Sequence, residues 1–207
     1  MSEELGKIEK PSVEQFEVGR KLYFVPLIYS AKEAQDDYLK KYNRYWEQVD
    51  SQMEALELKL GKVNRVYHEF VSEVDEDGIK TVTELNEESY YIIKKRLDSG
   101  AQLEAIEQRE LLTEFMDWAR CLAIGLQNAN VLTKVYENFL EVSKKRNEHI
   151  TKTIDETLGE NEVGVFLMRE GHQVQFPPDI QVFYVTPPAL DEIKRWLREQ
   201  ESTPESG

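Results

Sequence analysis

Four short stretches of the chain carry the side chains that could do chemistry. His68 and Glu69 close the run KVNRVYHEFV, Glu107 closes AQLEAIE, Glu170 and His172 close VGVFLMREGH, and Tyr29 closes KLYFVPLIY. Each follows a β-branched or aliphatic run of strand length, and in a parallel sheet such strand ends gather on one edge, where open α/β proteins keep their ligands. Imidazole and carboxylate together suit a divalent cation, which makes His68 and His172 candidate metal ligands. The same groups could exchange protons, which makes His172, Glu69 and Glu107 candidate catalytic residues. Against this stands the abundance of acids, 40 Asp and Glu in 207 residues, which places carboxylates at several strand ends by chance. A lone histidine on a turn also commonly serves as a solvated or capping residue. His149, inside KKRNEHITKTI, reads as an exposed helix position.

The elements that would position these groups alternate in type. KLYFVPLIY (21–29) is apolar on both faces, as an internal parallel strand would be, although Pro26 lacks a ladder donor and suits an edge or a strand end. Ser30 offers a cap to a long amphipathic helix in which Tyr38, Tyr42, Tyr45, Trp46, Val49, Met53, Leu56 and Leu60 recur at three- and four-residue steps, up to Gly61. Strands are predicted at 62–71, 101–107, 163–170 and 179–185. Helices are predicted over 86–97, over 109–158 with a break near Gly125 to Asn130, and after Pro187 and Pro188. VDEDGIK (74–80) reads as a loop, its DEDG as a turn that lacks the further ligands of a calcium loop. The whole predicts an open, largely parallel α/β sheet with a large helical share, in one domain over 19–200, with flexible tails at 1–18 and 201–207. A helical bundle with a small C-terminal hairpin follows instead if 62–71 and 101–107 are helical.

Composition removes several function classes. Lys and Arg number 26 against the 40 acids, a net charge of −14. That charge repels phosphate backbones and anionic membranes, so neither nucleic acid nor membrane is an expected partner. Cys121 is the single cysteine, which excludes an intrachain disulfide and a cysteine-based zinc site. The polar N-terminus and the want of a long apolar window predict a soluble, cytoplasmic protein. Glycine-rich phosphate loops, HExxH and nucleophile elbows are missing from the sequence.

The tract KRNEHITKTIDETLGENEVGVFLMREGHQV (145–174) resembles the closing motif of the TraB/PrgY/TIKI group and of the related erythromycin-esterase-like and ChaN-like proteins. There an Arg-Asn pair on a helix and a short spacer precede an apolar strand that ends in a glycine and a histidine. Arg146, Asn147, Gly171 and His172 take those positions, and the order of Glu69 and Glu107 on successive strand ends fits the same group. The resemblance implies an α/β fold and a polar cleft in which Arg146, Asn147 and Tyr29 meet the substrate. It also implies a hydrolase, with a divalent metal as a possible cofactor and His172 or a glutamate as base toward water. Hydrolytic members carry a histidine or acid in a G-E-x-H-like motif after the first strand, where this chain reads P-L-I-Y-S. Tyr29 is a poor metal ligand there, because a phenol must lose a proton of pKa about 10. The site implied is therefore a working or an altered one. The alternative function is a non-enzymatic interaction module that pairs its long helix with a second copy, or with a helical partner, through Tyr45 and Trp46.

Overall fold

The structure is a computed structural model, and it describes residues 18–30 and 34–202. The predicted N-terminal tail lies almost wholly outside the described residues. Five parallel strands form one open sheet in the order β3-β2-β4-β1-β5, with β1 Arg20–Pro26, β2 Arg65–His68, β3 Gln102–Glu104, β4 Val163–Met168 and β5 Ile180–Tyr184. The α/β prediction holds and the bundle alternative does not. Both ambiguous segments are strands, although shorter than their apolar runs.

Among the described residues, five helices connect the strands and a sixth follows β5: α1 Asp36–Leu60, α2 Asp75–Leu85, α3 Glu87–Leu97, α4 Arg109–Ala123, α5 Ala129–Thr157 and, last, α6 Pro188–Ser202. Side chains alternate across a strand, so each strand feeds two cores. Tyr23 and Val25 of β1, with Val165 and Leu167 of β4, pack on α1, α3 and α6 through Tyr45, Trp46, Ile93 and Ile193. Leu22, Phe24 and Phe166 face the other way, onto Ile150 and Ile154 of α5 and onto Val174. Burying an aromatic or aliphatic side chain contributes roughly 1.5–3 kcal/mol, and Tyr38, Tyr42, Tyr45 and Trp46 are all buried. The aromatic stripe of α1 is thus core, and Tyr45 and Trp46 are not available to a partner helix.

Three details differ from the sequence reading. Helix α1 starts at Asp36 behind Gln35, six residues after Ser30, with Asp36 and Asp37 complementing the positive end of its dipole. Residues 74–80 are not a loop: Asp75, Glu76 and Asp77 form the acidic first turn of α2, and the turn-forming residue types suit a helix N-terminus equally well. Helix α6 runs to Ser202, past the predicted start of the C-terminal tail. Pro26 is the last residue of the internal strand β1, where its missing donor interrupts nothing within the ladder.

The connections set up a crevice. From β2 the chain leaves through α2 and α3, which pack on the first core. From β4 it leaves through the segment around Val174, which packs on the second. Neighbouring strands β2 and β4 therefore send their connections to opposite faces, and a crevice opens at their carboxyl ends. Among the described residues, no helix is long and apolar enough to cross a membrane.

Candidate functional site

Strand β2 delivers two candidate residues to opposite sides of the sheet. His68 faces the first core, fully buried. Its Nδ1–H donates to the carbonyl of Glu69 at 2.7 Å, and its Nε2 lies 3.0 Å from the Ser89 hydroxyl on α3. Burial pushes its pKa down to about 4. With both ring nitrogens engaged, His68 is a core residue and not the metal ligand expected from its neighbour. Alternation is the physical reason, since adjacent residues of a strand cannot share a face.

Glu69 points into the crevice. The chain turns sharply after it: the His68 carbonyl accepts from the Val71 N–H at 3.2 Å, and Phe70 at the third position of that turn has φ +71°. Such a turn ordinarily takes glycine or asparagine at this place. A bulky side chain held there is a strained position of the kind that clusters at functional sites. The Phe70 ring lies under two guanidiniums, 5.6 Å from that of Arg146 and 5.3 Å from that of Arg169.

Those two arginines and two glutamates form one network. Arg146, on α5, donates from Nε to Glu107 Oε2 at 2.8 Å, from Nη2 to Glu107 Oε1, and from Nη2 to Glu69 Oε1 at 3.3 Å. Arg169, the first residue past β4, donates to Glu69 from its backbone N–H, from Nε and from Nη2 at 3.0–3.2 Å. Glu107 also accepts from the Phe70 N–H at 3.2 Å. Arg146 and the two glutamate side chains are buried, whereas the Arg169 side chain is 49% exposed. Desolvation alone would lower the Arg146 pKa, but the hydrogen bonds and charges of Glu107 and Glu69 outweigh it and raise it. Phe115 of α4 completes the setting, its ring 4.6 Å from the Arg146 guanidinium.

His172 sits on the loop after β4, half-buried against aromatic rings, with Phe24 at 4.8 Å and Phe166 at 5.6 Å between centroids. Burial lowers its pKa, opposed in part by the negative charge of Glu69. Its Nδ1 accepts from the Val174 N–H at 3.3 Å, so the neutral ring carries its proton on Nε2 and offers a donor rather than a base. Tyr29 packs on the first core, and its hydroxyl is buried without a hydrogen-bond partner among the described residues. Burial, with the charge of Glu69, pushes its pKa up. Asn147 follows Arg146 on α5 and makes no side-chain hydrogen bond among the described residues. His149 is half-buried rather than exposed.

A cavity of about 260 Å3 lies above the network, between α5 and the loop after β4, with Glu69, Arg146, Asn147, Arg169 and His172 among its walls. The structure thus brings together Glu69, Arg146, Asn147 and His172 on one cavity, with Glu107 held behind Arg146. His68, His149 and Tyr29 are not among its walls.

Arg169 and Phe70 are missing from the sequence reading. A strand read to residue 170 ends on Glu170, whereas β4 stops at Met168 and Arg169 is the first residue past it. Glu170 instead pairs with Lys194 of α6 at 2.7 Å.

The donor set does not suit a metal ion. No group of three or more His, Cys, Asp or Glu is placed to hold one among the described residues. The available carboxylate oxygens are already occupied by guanidinium or backbone donors.

A scan against protein-family models gives no match, and searches of curated proteins and of solved structures give none either.

Proposed function

We propose that the chain is a small-molecule-binding α/β protein of hydrolase-like build, resembling the TraB and erythromycin-esterase-like group, whose ligand sits in the crevice between the ends of β2 and β4. One observation carries the reading: the buried Arg146 joins Glu69 and Glu107 at the floor of a cavity at the topological switch point of the sheet. Burying the three charges of Arg146, Glu69 and Glu107 is costly, and a core needing only stability would fill the same space with apolar side chains. Arg146, Arg169, Asn147 and the Nε2–H of His172 make the cavity rich in donors, suited to an acceptor-bearing ligand or to developing negative charge. The single Cys121 fits a reducing cytoplasm.

A catalytic version of this reading gives Glu69 the role of base toward water, once Arg169 turns from its carboxylate to the ligand. The half-exposed Arg169 favours it, being the partner of Glu69 with room to move. The test is a thermal-shift and ester-hydrolysis screen of small compounds on the wild type, on Arg169→Gln and on Leu140→Trp. Leu140 lines the cavity, so the tryptophan fills it. Ligands should raise the melting temperature of the wild type and lose that effect in both variants. Equal shifts in all three proteins would place binding elsewhere and sink the reading.

A further inference from the structure

Helix α5 is longer than the sheet it covers. At about 1.5 Å per residue its 29 residues span roughly 43 Å, whereas the longest strand, β1, has seven residues and spans roughly 23 Å at about 3.3 Å each. The helix runs against the strand β4 that follows it, so the excess stands out past the carboxyl ends of the strands. One face shows the consequence. Ile150 and Ile154 pack on the second core, and at three- and four-residue steps the same face continues backward through Asn147, Ser143, Leu140, Tyr136 and Leu132. Asn147 and Ser143 line the cavity, and from there outward Leu140, Tyr136 and Leu132 are 41–51% exposed.

Helix α4 widens this face and does not cover it. It lies antiparallel to α5 with Phe115 on Phe139, and at 3.6 residues per turn that contact turns Leu112 and Met116 to the same side as Tyr136. Both are half-buried, and the turn between the helices leaves Ile124 exposed. Neither core contains a residue of α4, or of α5 before Ile150. The outer part of α5 is about 25 Å long and the helix pair about 20 Å wide, so two such faces in contact cover roughly 1,000 Å2, the size at which an interface becomes specific. A contiguous apolar face of that extent marks a surface of association.

Charge selects the occupant. From Arg109 to Lys145 there are five Lys or Arg and five Asp or Glu, a sum of zero in a chain of net charge −14. Residues 121–133, which span the tip of the hairpin, hold no charged side chain at all. The whole acidic excess lies on the rest of the chain, so a second copy is repelled on average by the body and not by the hairpin, whereas a basic partner would be drawn to the body. A two-helix layer is also half of a four-helix bundle, and an identical hairpin turned about a two-fold axis supplies the other half. We propose that this face is a homodimer interface, on which a second copy lays its own α4–α5 hairpin, the two α5 helices antiparallel with Leu132 of each toward Leu140 of the other. The helix that pairs is thus α5 and not α1. Leu140 also lines the cavity, so the paired hairpins end at its rim.

Sedimentation equilibrium of the full chain tests the interface. The proteins compared are the wild type, Leu132→Lys with Tyr136→Lys, Leu132→Ser with Tyr136→Ser, and Tyr184→Lys, which changes an exposed aromatic on β5 as a control. The wild type and the control should be dimers at micromolar concentration, held more tightly in high salt than in low, because salt screens the repulsion between the acidic bodies. The lysine pair places four like charges in the interface and should weaken the dimer at least about tenfold. The serine pair removes apolar surface without adding charge and should weaken it less, in the same direction. Far-ultraviolet circular dichroism of both should match the wild type, since neither position belongs to a core. A wild type that stays monomeric at millimolar concentration overturns the proposal, whether or not it copurifies with an unlike protein. A dimer as tight in both pairs as in the wild type, or one that Tyr184→Lys weakens as much, places the contact elsewhere and overturns it too.

Discussion

Two residues of the site carry their own tests. Phe70 sits at φ +71°, which costs a side-chain-bearing residue about 1 kcal/mol or more. Phe70→Ala and Phe70→Gly both remove the ring beneath the guanidiniums, so comparing them isolates the backbone. The glycine variant should be the more stable by about 1 kcal/mol in urea denaturation, the reverse of the usual order inside regular structure. Equal midpoints would mean that the turn relaxes and that no strain is held there. His68 has its pKa pushed from the ordinary 6.5 down to about 4. Between those values the unfolded chain binds a proton that the folded one refuses, so stability rises with pH across the window. The His68 contribution is complete above 6.5 and is lost as pH falls toward 4, a difference of roughly 3 kcal/mol. His68→Gln should flatten that part of the pH–stability curve relative to wild type. An unchanged slope in the variant would assign the acid loss to carboxylates instead.

Among the elements, α2 shows what pattern can and cannot disclose. Its opening DEDG has the composition of a turn, and only the packing reveals a helix whose Gly78 lies against the preceding chain. A Cβ at Gly78 would run into the backbone carbonyl oxygen of Glu73 and come within 3.0 Å of Leu103. Glycine to alanine within a helix ordinarily stabilises by about 1 kcal/mol. Gly78→Ala should instead lower the melting temperature, and a rise would show that the close approach is not binding on the fold. The strands and the long amphipathic helix were legible because their periodicity follows directly from burial on one or two faces. The site was legible in part for the same reason: Glu69, Glu107, Arg146 and His172 were found as strand ends and as a motif. His68 was misplaced because no alternating pattern in its short strand distinguishes the two buried faces. Arg169 escapes the sequence pattern because strand ends are not marked by residue type, and a shift of one position exchanges Arg169 for Glu170.

At the scale of the whole molecule, the charge network joins the α4–α5 hairpin to the sheet. The outer part of α5 leaves Leu132, Tyr136 and Leu140 exposed, and its inner part packs Ile150 and Ile154 on the second core. Arg146 lies between these regions and reaches both the β2 end, through Glu69, and the segment after β3, through Glu107. Arg146→Met removes that bridge and leaves Glu107 buried without a cation. A loss of about 3–5 kcal/mol is the cost of one uncompensated buried charge. Because Glu69 keeps Arg169, the injury centres on Glu107, so adding Glu107→Leu to Arg146→Met should recover much of the loss. Urea midpoints of the wild type, both single variants and the double variant give the coupling. Full additivity would mean that the two side chains do not act as a pair. Hydrogen exchange separates this account from a general weakening: in Arg146→Met the amides of α4 and outer α5 should exchange faster, while those of β1 and β4 keep their ordering above them. The hairpin is anchored at its inner end, so removing the anchor frees the wall of the cavity before it unfolds the sheet. The cleft then depends on the same ion pair that fastens its wall, and ligand binding should protect the hairpin amides in the wild type.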